Sequence, residues 1–581
     1  MIVYDFEVFM FDWLVVFKDI ATKQLDIVVN NPQHLREFYE EHKNNIFVGY
    51  NNKAYDDIVL KGILSNVEPY TTSTTLMQID NKYEAYKLLG IKNIPLISVD
   101  LMQDVLGMSL KQAEGYMGLD VDECTIPFNI ERKLDEHELE EVIKYCCHDV
   151  NATEKLLEVR QGYVQSKLEI IKLFNLPITC LGSTNAQLCA QVLKAKRMEH
   201  NDELEYEMPD TIKIEKPEYK QILSLYNVDK LDYTKTLNID IAGVNHTLAY
   251  GGIHAARKNF YYKGEMWNID VNSFYPSMMI RYNFLSRNCQ GLSIFKKIYD
   301  DRIKAKQAGD TSKANAYKLI LNTTYGAMKS IYNALYDPKM ANQVCITGQL
   351  LFVDLIEKLE PYMTLVQSNT DGILVIPKNK DKIKELLAEW EERTGMTTEI
   401  DVCNAIYQKD VNNYIMVIEK DGKTKIKTKG AYVKQFGSKD LRNTTRILDE
   451  AVVKYFLEDK KPEDTINECD DLFMFQYITK TGHSYGNTVW EIEPNKLVAV
   501  NNVNRVYASK NPVHGNLLKI KEINGLTIRA DSIANLPTHS IVDNKNELKL
   551  EDIDKRWYID IAWKRINDFK GGAYDGEIYQ M

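Results

Sequence analysis

Two groups of acidic residues carry spacings that chemistry could use. Near the start of the chain Asp5 and Glu7 are two apart, which on a β-strand turns both carboxylates to one side. Asp56 follows Asn51, Asn52 and Tyr55, and Tyr145 and Asp149 are one helical turn apart, so that pair shares a helix face. Four acids of this kind can hold a pair of Mg2+ ions, because hard cations prefer oxygen ligands, while the phenol orients a water for attack on a phosphodiester. Far downstream, Asp270 lies in the alternating run Trp267-Asn268-Ile269-Asp270-Val271, ahead of Asn272-Ser273-Phe274-Tyr275-Pro276-Ser277. Asp371 lies in Ser368-Asn369-Thr370-Asp371-Gly372, between the apolar runs Met363 to Val366 and Ile373 to Ile376. A hairpin tip carrying Asp371 beside the Asp270 strand would put two carboxylates around one metal pair. Taken singly, each of these acids is commonplace at a strand end or turn.

Cationic residues show a second pattern. Lys318, Asn322 and Tyr325, at i, i+4 and i+7, form one helical stripe with Gly326 immediately after, and Arg302 and Lys306 are again i, i+4 on a preceding helix. Three cations around one cleft suit a triphosphate; the bland alternative is a solvated helix face. Lys423, Lys425, Lys427 and Lys429 alternate with Thr424, Ile426 and Thr428. On a strand all four ammonium groups fall on one side, where they repel one another unless a polyanion lies across them. The plainer reading is an edge strand kept soluble by lysine.

These residues need elements to position them. The apolar runs Met1 to Phe6 and Trp13 to Phe17 predict strands, Ile58 to Leu64 is a further periodic segment, and Leu139, Val142, Ile143, Cys146 and Val150 predict a helix near His137 to Val159. The polar stretch Glu199 to Lys220, with Pro209 and Pro217, predicts a linker or irregular insertion at a domain boundary. Ile294 to Ala308 and Thr311 to Asn333 predict an antiparallel helical hairpin turning at Gly309 and Asp310. Met363 to Ile376 predicts a β-hairpin, and Asn412 to Lys434 alternating strands about a turn at Asp421-Gly422. Later residues are mixed α and β with turn clusters, and include Pro512 to His514, Lys519, Lys521 and Arg529.

Composition narrows the class. The 581 residues are enough for several cores. A hydrophobic share of 44% with 27% charged residues excludes general disorder. The net charge of −11 argues against a protein that coats nucleic acid, but not against a nucleic-acid enzyme with its cations gathered in one groove. No stretch approaches about 18 uncharged apolar residues, and Asp5, Glu7 and Asp12 interrupt the apolar start, so a soluble, unexported, cytoplasmic chain without a membrane partner is expected. Nine cysteines include no Cys-x-x-Cys pair, so reduced thiols and no structural zinc are expected.

In order along the chain, Asp5-x-Glu7, Asn51-x3-Tyr55-Asp56 and Tyr145-x3-Asp149 resemble the three exonuclease motifs of the proofreading domain of family B DNA polymerases. Asp270-x-x-Ser273-Phe274-Tyr275-Pro276-Ser277, Lys318-x3-Asn322-Thr323-Thr324-Tyr325-Gly326 and Asn369-Thr370-Asp371 resemble motifs A, B and C of the same family. Tyr250-Gly251-Gly252 looks like its Tyr-x-Gly signature between the two modules. The resemblance covers about residues 1 to 435 and within the family is nearest to bacteriophage-encoded replicative enzymes. It implies a multidomain α/β and α+β chain: a ribonuclease H-like exonuclease domain over 1–165, a connecting region over 166–248, and a right-hand polymerase. The polymerase would have its palm over 249–285 and 336–438, helical-hairpin fingers over 286–335, and a thumb and C-terminal region over 439–581.

The activity so implied is template-directed DNA synthesis with 3′-to-5′ proofreading, by a monomer working on primer-template DNA and dNTPs in the cytoplasm of a host cell. A single-strand-binding protein, helicase or processivity factor are candidate partners. By resemblance Asp5, Glu7, Asp56 and Asp149 bind two Mg2+, Tyr145 orients the water, and Asn51 and Tyr55 contact single-stranded DNA. Asp270, Asp371 and the Val271 carbonyl bind a second pair of Mg2+, with Mn2+ as the alternative ion. Arg302, Lys306 and Lys318 hold the triphosphate, Ser273 and Phe274 line the nucleotide, and Tyr275 stacks under the sugar and excludes a 2′-hydroxyl. Asn322, Tyr325 and Gly326 line the nascent base pair, while Tyr250, Gly251, Gly252, Thr370, Lys425, Lys427, Lys429 and Tyr432 contact DNA. Tyr414 falls near the family's Lys-x-Tyr region, but Val411-Asn412-Asn413 precede it, so only Lys429 and Tyr432 are carried over from there.

Two departures stand out: Thr323 replaces the usual Ser, and Asn369 replaces the first Asp of motif C, leaving one fewer carboxylate and the metal preference open. The short intervals from Asp270 to Lys318 and from Gly326 to Asp371 leave little room for the insertions of protein-primed members, which favours a nucleic-acid primer. The competing readings are an exonuclease with a degenerate polymerase module and a non-catalytic scaffold that binds primer-template DNA.

Overall fold

The chain divides into two units, each assembled from three separate stretches: Met1–Thr184, Lys439–Ile447 and Ile466–Ile559 in the first, and Asn185–Ser438, Leu448–Thr465 and Asp560–Met581 in the second. The computed structural model describes residues 1–571 apart from 106, 421, 439, 483–484 and 524–525. Asp421 of the expected turn and the Arg529 side chain lie outside the described residues.

In the first unit β1 (Ile2–Val8), β2 (Trp13–Asp19) and β3 (Leu25–Val29) form an antiparallel meander, to which β4 (Phe47–Gly49) and β5 (Ser98–Asp100) add in parallel, in the order β3-β2-β1-β4-β5. Ile2, Tyr4, Phe6 and Val8 enter one core with Phe17, Phe38 and Ile58, whereas Val3 enters another with Val16, Val48, Cys146 and Val150. Burial on both faces is why β1 reads as an apolar run rather than an alternation. Asp5 and Glu7 share the Val3 side, toward the helix Glu136–Val159. That helix opens on a capping box between Asp135 and Glu138, one residue ahead of the first predicted position. Later in the chain, Arg505 on the strand Val503–Ala508 is fully buried and donates to the carbonyls of Leu119 at 2.6 Å and Gly115 at 3.3 Å and to Gln476 Oε1 at 3.0 Å.

The second unit carries a small hairpin, β6 (Leu237–Ile241) with β7 (Val244–Leu248), and a seven-stranded antiparallel sheet. Its strands are β8 (Ala255–Ala256), β9 (Phe260–Val271), β10 (Met363–Asn369), β11 (Gly372–Pro377), β12 (Thr398–Asp410), β13 (Asn413–Lys420) and β14 (Lys423–Lys429), in the order β14-β13-β12-β9-β11-β10-β8. Between β9 and β10 come the helical hairpin Ser293–Gln307 with Thr311–Lys329 and the long buried helix Pro338–Leu359. The second hairpin helix stops at Lys329 rather than Asn333, because Ser330 is extended and Arg197 takes the carbonyls of Ile331 and Asn333 at 2.8 and 2.9 Å.

The stretch expected as a linker or irregular insertion, Glu199 to Lys220, runs as a strap along the long helix. The backbone N–H groups of Glu207, Lys213 and Glu215 donate to Gln343, Asp354 and Glu357 at 2.9–3.1 Å. Acceptors more than a hundred residues downstream satisfy this backbone, which local composition cannot show. The nine cysteines are free thiols, and among the described residues no helix is long and apolar enough to cross a membrane.

Candidate metal centres and nucleic-acid interface

Asp270, near the end of β9, stands directly opposite Gly372 on β11 and Glu399 on β12. Opposed residues of antiparallel strands share a face, so the register sets these positions side by side. A Cβ at Gly372 would overlap Asp270 Oδ1 and come within 2.9 Å of the Ile269 carbonyl, so only glycine leaves this carboxylate its place. The Val271 N–H donates to the Asp371 carbonyl at 2.8 Å and fastens the hairpin tip to the end of β9, with Asp371 exposed. Asp270 Oδ2 accepts from Asn268 at 2.6 Å. Burial pushes Asp270 up to about 6; Lys427 opposes that shift and the charge of Asp371 adds to it. The register and the Val271–Asp371 backbone bond bring Asp270 and Asp371 to adjoining strand ends, and carboxylate and carbonyl oxygens are the donors that suit a hard divalent cation.

The hairpin tip is braced from the Tyr250-Gly251-Gly252 turn. A Cβ at Gly252 would overlap Thr370 Oγ1, and His254 Nε2 lies 2.9 Å from the same hydroxyl. His246 Nε2 lies 2.9 Å from Ser368 Oγ, and the Tyr250 ring meets Tyr233 edge-on at 4.8 Å. Sequence reasoning missed both histidines, since neither belongs to a spacing pattern.

Beyond Asp270 the chain turns sharply at Ser273, held at φ 46, and enters the helix Phe274–Arg281 with Pro276 in its first turn. Ser273 Oγ accepts from Arg302 Nη1 at 2.7 Å, so the first hairpin helix is tied to this turn. The Tyr275 ring meets the Tyr325 ring at 4.7 Å, and Phe274 packs on Phe352 at 5.0 Å. Gly348 of the long helix makes the room: a Cβ there would sit 3.2 Å from Phe274 and 3.5 Å from Tyr275. Lys318, Asn322 and Gly326 are exposed on the second hairpin helix, and Lys306 is exposed on the first.

The lysine strand β14 is an edge of the sheet, and Lys429, Lys427 and Lys425 pair opposite Tyr414, Met416 and Ile418 of β13. Ile418 opposes Cys403, which opposes Met266, and Met266 and Asp270 share one side of β9. By this register the lysines share the face that carries Asp270, and the charge of Lys427 opposes the upward shift of that acid. Tyr414, set aside in the sequence reading, is buried, and its hydroxyl is pushed up to about 12 by burial, with Asp270 and Asp371 adding to the shift. Tyr432, which was carried over instead, gives its hydroxyl to Asp568 at 2.9 Å in the helix Lys555–Lys570. That helix begins more than a hundred residues later, beyond the reach of local spacing.

In the first unit Glu7, Asp56 and Asp149 are buried and Asp5 is half-buried. Donor atoms of Asp5, Glu7 and Cys146 lie within 4.8 Å of one another, as do those of Glu114, His148 and Asp149. Asp56, opening the helix Asp56–Leu64, accepts from the Phe6 N–H at 3.0 Å. Burial first, then mutual repulsion, holds Asp5 and Glu7 well above the usual carboxylate range; burial raises Asp56 to about 7 and Asp149 to about 6. Lys111, on the helix Leu110–Met117, is paired with Asp149 and, at 3.1 Å, with Glu114, and its ammonium lies 4.4 Å from the centre of the Tyr145 ring.

The Tyr145 hydroxyl is itself pushed far up, chiefly by burial, and the residue lines a cleft of about 390 Å³ with Asp122, Cys124, Asn501 and Lys545. Tyr55 stands in the field of Asp56, Glu7 and Asp5, its hydroxyl 2.7 Å from Ser73, while Asn51 adopts φ 61 and donates its N–H to Asp100 at 2.8 Å. Lys111 and Glu114 escaped the sequence reading because nothing in their own segment ties them to Asp149, and His148, beside Asp149 in the chain, meets its partner Glu114 at 3.5 Å from a different helix.

Over 184 residues the chain is 24% identical to DNA polymerase 1 of Sulfurisphaera ohwakuensis, and over 185 residues 25% identical to DNA polymerase 1 of Sulfolobus acidocaldarius. Each stretch takes in 30% of this chain and 20% of the relative, so the chain spans about a fifth of the length of the curated relatives it matches. Among solved structures it is similar to the family B DNA polymerase from the hyperthermophilic archaeon Pyrobaculum calidifontis, at 13% identity and a TM-score of 0.42, over 99% of this chain and 78% of that one. No family model matches the chain.

Proposed function

We propose that the chain is a template-directed DNA polymerase of family B with a 3′-to-5′ editing exonuclease. The observation that carries the reading is the meeting of Asp270 and Asp371, a hundred residues apart in sequence, at the joined ends of β9 and the β10–β11 hairpin. The six ordered motifs and the partial likeness to DNA polymerases support it.

In this reading Asp270, Asp371 and the Val271 carbonyl hold the divalent ions, Mg2+ or Mn2+. Such ions, when bound, neutralise the triphosphate and activate the primer hydroxyl. Arg302, anchored on Ser273, and Lys318 present positive charge to the triphosphate, with Lys306 farther along the same hairpin. Tyr275, backed by Tyr325, forms the surface under the sugar and leaves no room for a 2′-hydroxyl. The β14 lysines and Tyr414 face the primer side of the same sheet. With Asn369 at motif C, the site relies on Asp270 and Asp371 for its negative charge, and Glu399 is the nearest further carboxylate by register.

In the first unit Asp5, Glu7, Asp56 and Asp149 take the ions of the editing site, Tyr145 orients the water and Lys111 steadies Asp149. Primer-template DNA and dNTPs are the substrates, the primer is nucleic acid, and a bacteriophage replicating in a host cytoplasm is the proposed setting.

The test is a labelled primer-template with Mg2+, with and without dNTPs. Extension with dNTPs and shortening without them is the expected result. Shortening alone would make the chain an exonuclease with a degenerate polymerase module, and a mobility shift without either would make it a scaffold.

A further inference from the structure

Tyr332 is 98% exposed and its neighbour Ile331 59% exposed, immediately after the helix Thr311–Lys329. A lone exposed aromatic is ordinary. This one differs in being carried on a braced loop. The Asn333 N–H donates to the Ser330 carbonyl at 2.9 Å, Asn333 Oδ1 accepts from the Leu335 N–H at 2.9 Å, and the Asp337 N–H donates to the Met328 carbonyl at 2.9 Å. Arg197 binds the carbonyls on both sides of Tyr332 and lies 4.3 Å from the Tyr336 ring. The backbone is thus fixed while the ring it presents touches almost nothing, which lowers the entropy cost of stacking something on it.

The surroundings are cationic. Lys194 and Lys196, just before Arg197 on the chain, are exposed, and Lys329, three residues before Tyr332, is exposed with its ammonium 4.9 Å from the Tyr325 ring centre. Of the acids that follow, Asp202 is paired with Arg287 at 2.6 Å and Glu205 and Glu207 with Lys339 at 3.1 and 2.9 Å, while Glu199 and Glu203 are exposed and offset part of this charge. An aromatic ring on a fixed backbone with exposed lysines nearby in the chain fits a polyanion that carries flat apolar faces, which is the chemistry of an unpaired polynucleotide strand. An acidic peptide would use the charge and leave the ring idle.

We propose that Tyr332, with Lys194, Lys196 and Lys329, forms a stacking platform for the single-stranded template just ahead of the nucleotide pocket. The placement rests on the polymerase reading, since Tyr325, one turn before Lys329, is the residue that reading puts at the nascent pair.

The experiment is fluorescence anisotropy with the full chain and primer-templates whose template overhang is either one nucleotide or about ten nucleotides long, the latter within the reach of known single-strand sites. Tyr332→Ala should weaken binding of the long overhang about fivefold or more and leave the short one unchanged, and Tyr332→Phe should behave as wild type. An abasic long overhang should lose the same advantage in the wild type. Lys194→Ser with Lys196→Ser should reduce the salt dependence of long-overhang binding by a slope of about 1. Equal loss on both substrates, no loss on either, or an acidic peptide competing as well as oligo(dT) would overturn the proposal. A wild-type chain that fails to extend primers yet prefers the long overhang through Tyr332 would sink the polymerase reading alone. Extension without any Tyr332 dependence would sink the platform alone.

Discussion

Around Asp5, Glu7, Asp56 and Asp149 the carboxylates crowd together inside the first unit, where Lys111 pairs with Asp149 and burial with mutual repulsion raises all four acids above the usual carboxylate range. Around Asp270 and Asp371 the arrangement is open: Asp371 is exposed, and the cation acting on Asp270 is Lys427, from an edge strand. The difference teaches what each centre must do to accept a divalent ion. Binding a divalent ion works against four raised acids and Lys111 in the enclosed centre, and against the raised value of Asp270, about 6, in the open one.

Four experiments would break or sharpen that comparison, beginning with the largest effect. Asp371→Asn should reduce primer extension by on the order of a thousandfold while shortening persists, and Asp5→Ala with Glu7→Ala should do the reverse. Loss of both activities in either variant would make the two centres one. Gly372→Ala, which drives a methyl into Asp270 and against the Ile269 carbonyl, should cost extension on the order of a hundredfold by displacing that carboxylate, with shortening little changed. Tyr275→Ala should relax discrimination against ribonucleotides by about ten- to a hundredfold in competitive incorporation assays; unchanged discrimination would remove its assigned role.

The smallest effect is on stability. A carboxyl group whose folded value is raised contributes stability that is fully present below its ordinary range and is lost as pH rises through the folded value, here about 6 for Asp149 and about 7 for Asp56. Without divalent ions the protein should therefore melt a few degrees lower at pH 8 than at pH 5.5, with Mg2+ restoring much of the difference at pH 8. Asp5→Ala with Glu7→Ala should flatten this dependence more than Asp270→Asn does. A melting temperature indifferent to pH in every variant would contradict the crowded, proton-holding description of the front centre.

What could be read before the structure was local. The strand bearing Asp5 and Glu7, the helix bearing Tyr145 and Asp149, the hairpin bearing Asp371 and the paired helices over Arg302 and Lys318 each show themselves in apolar period and turn chemistry. Residues made important by a distant partner did not. Lys111 matters through Asp149, His254 through Thr370, and Tyr414 through a sheet register that sets it on the side of Asp270. The strap over Glu199 to Lys220 looked like a linker or irregular insertion because its backbone acceptors sit on a helix far along the chain. Tyr432 looked available because Asp568 was too remote to suggest itself.

Arg505 sets a schedule for biosynthesis. Its guanidinium clamps the end of the helix Leu110–Met117, yet it emerges from a ribosome only after the entire second-unit sheet has been translated. A nascent chain released through Thr184 would thus carry every acid of the front centre while lacking the late cationic clamp that completes their scaffold. Fragments cut at that point should emerge sticky and protease-sensitive, and adding residues 466–559 in trans should rescue them.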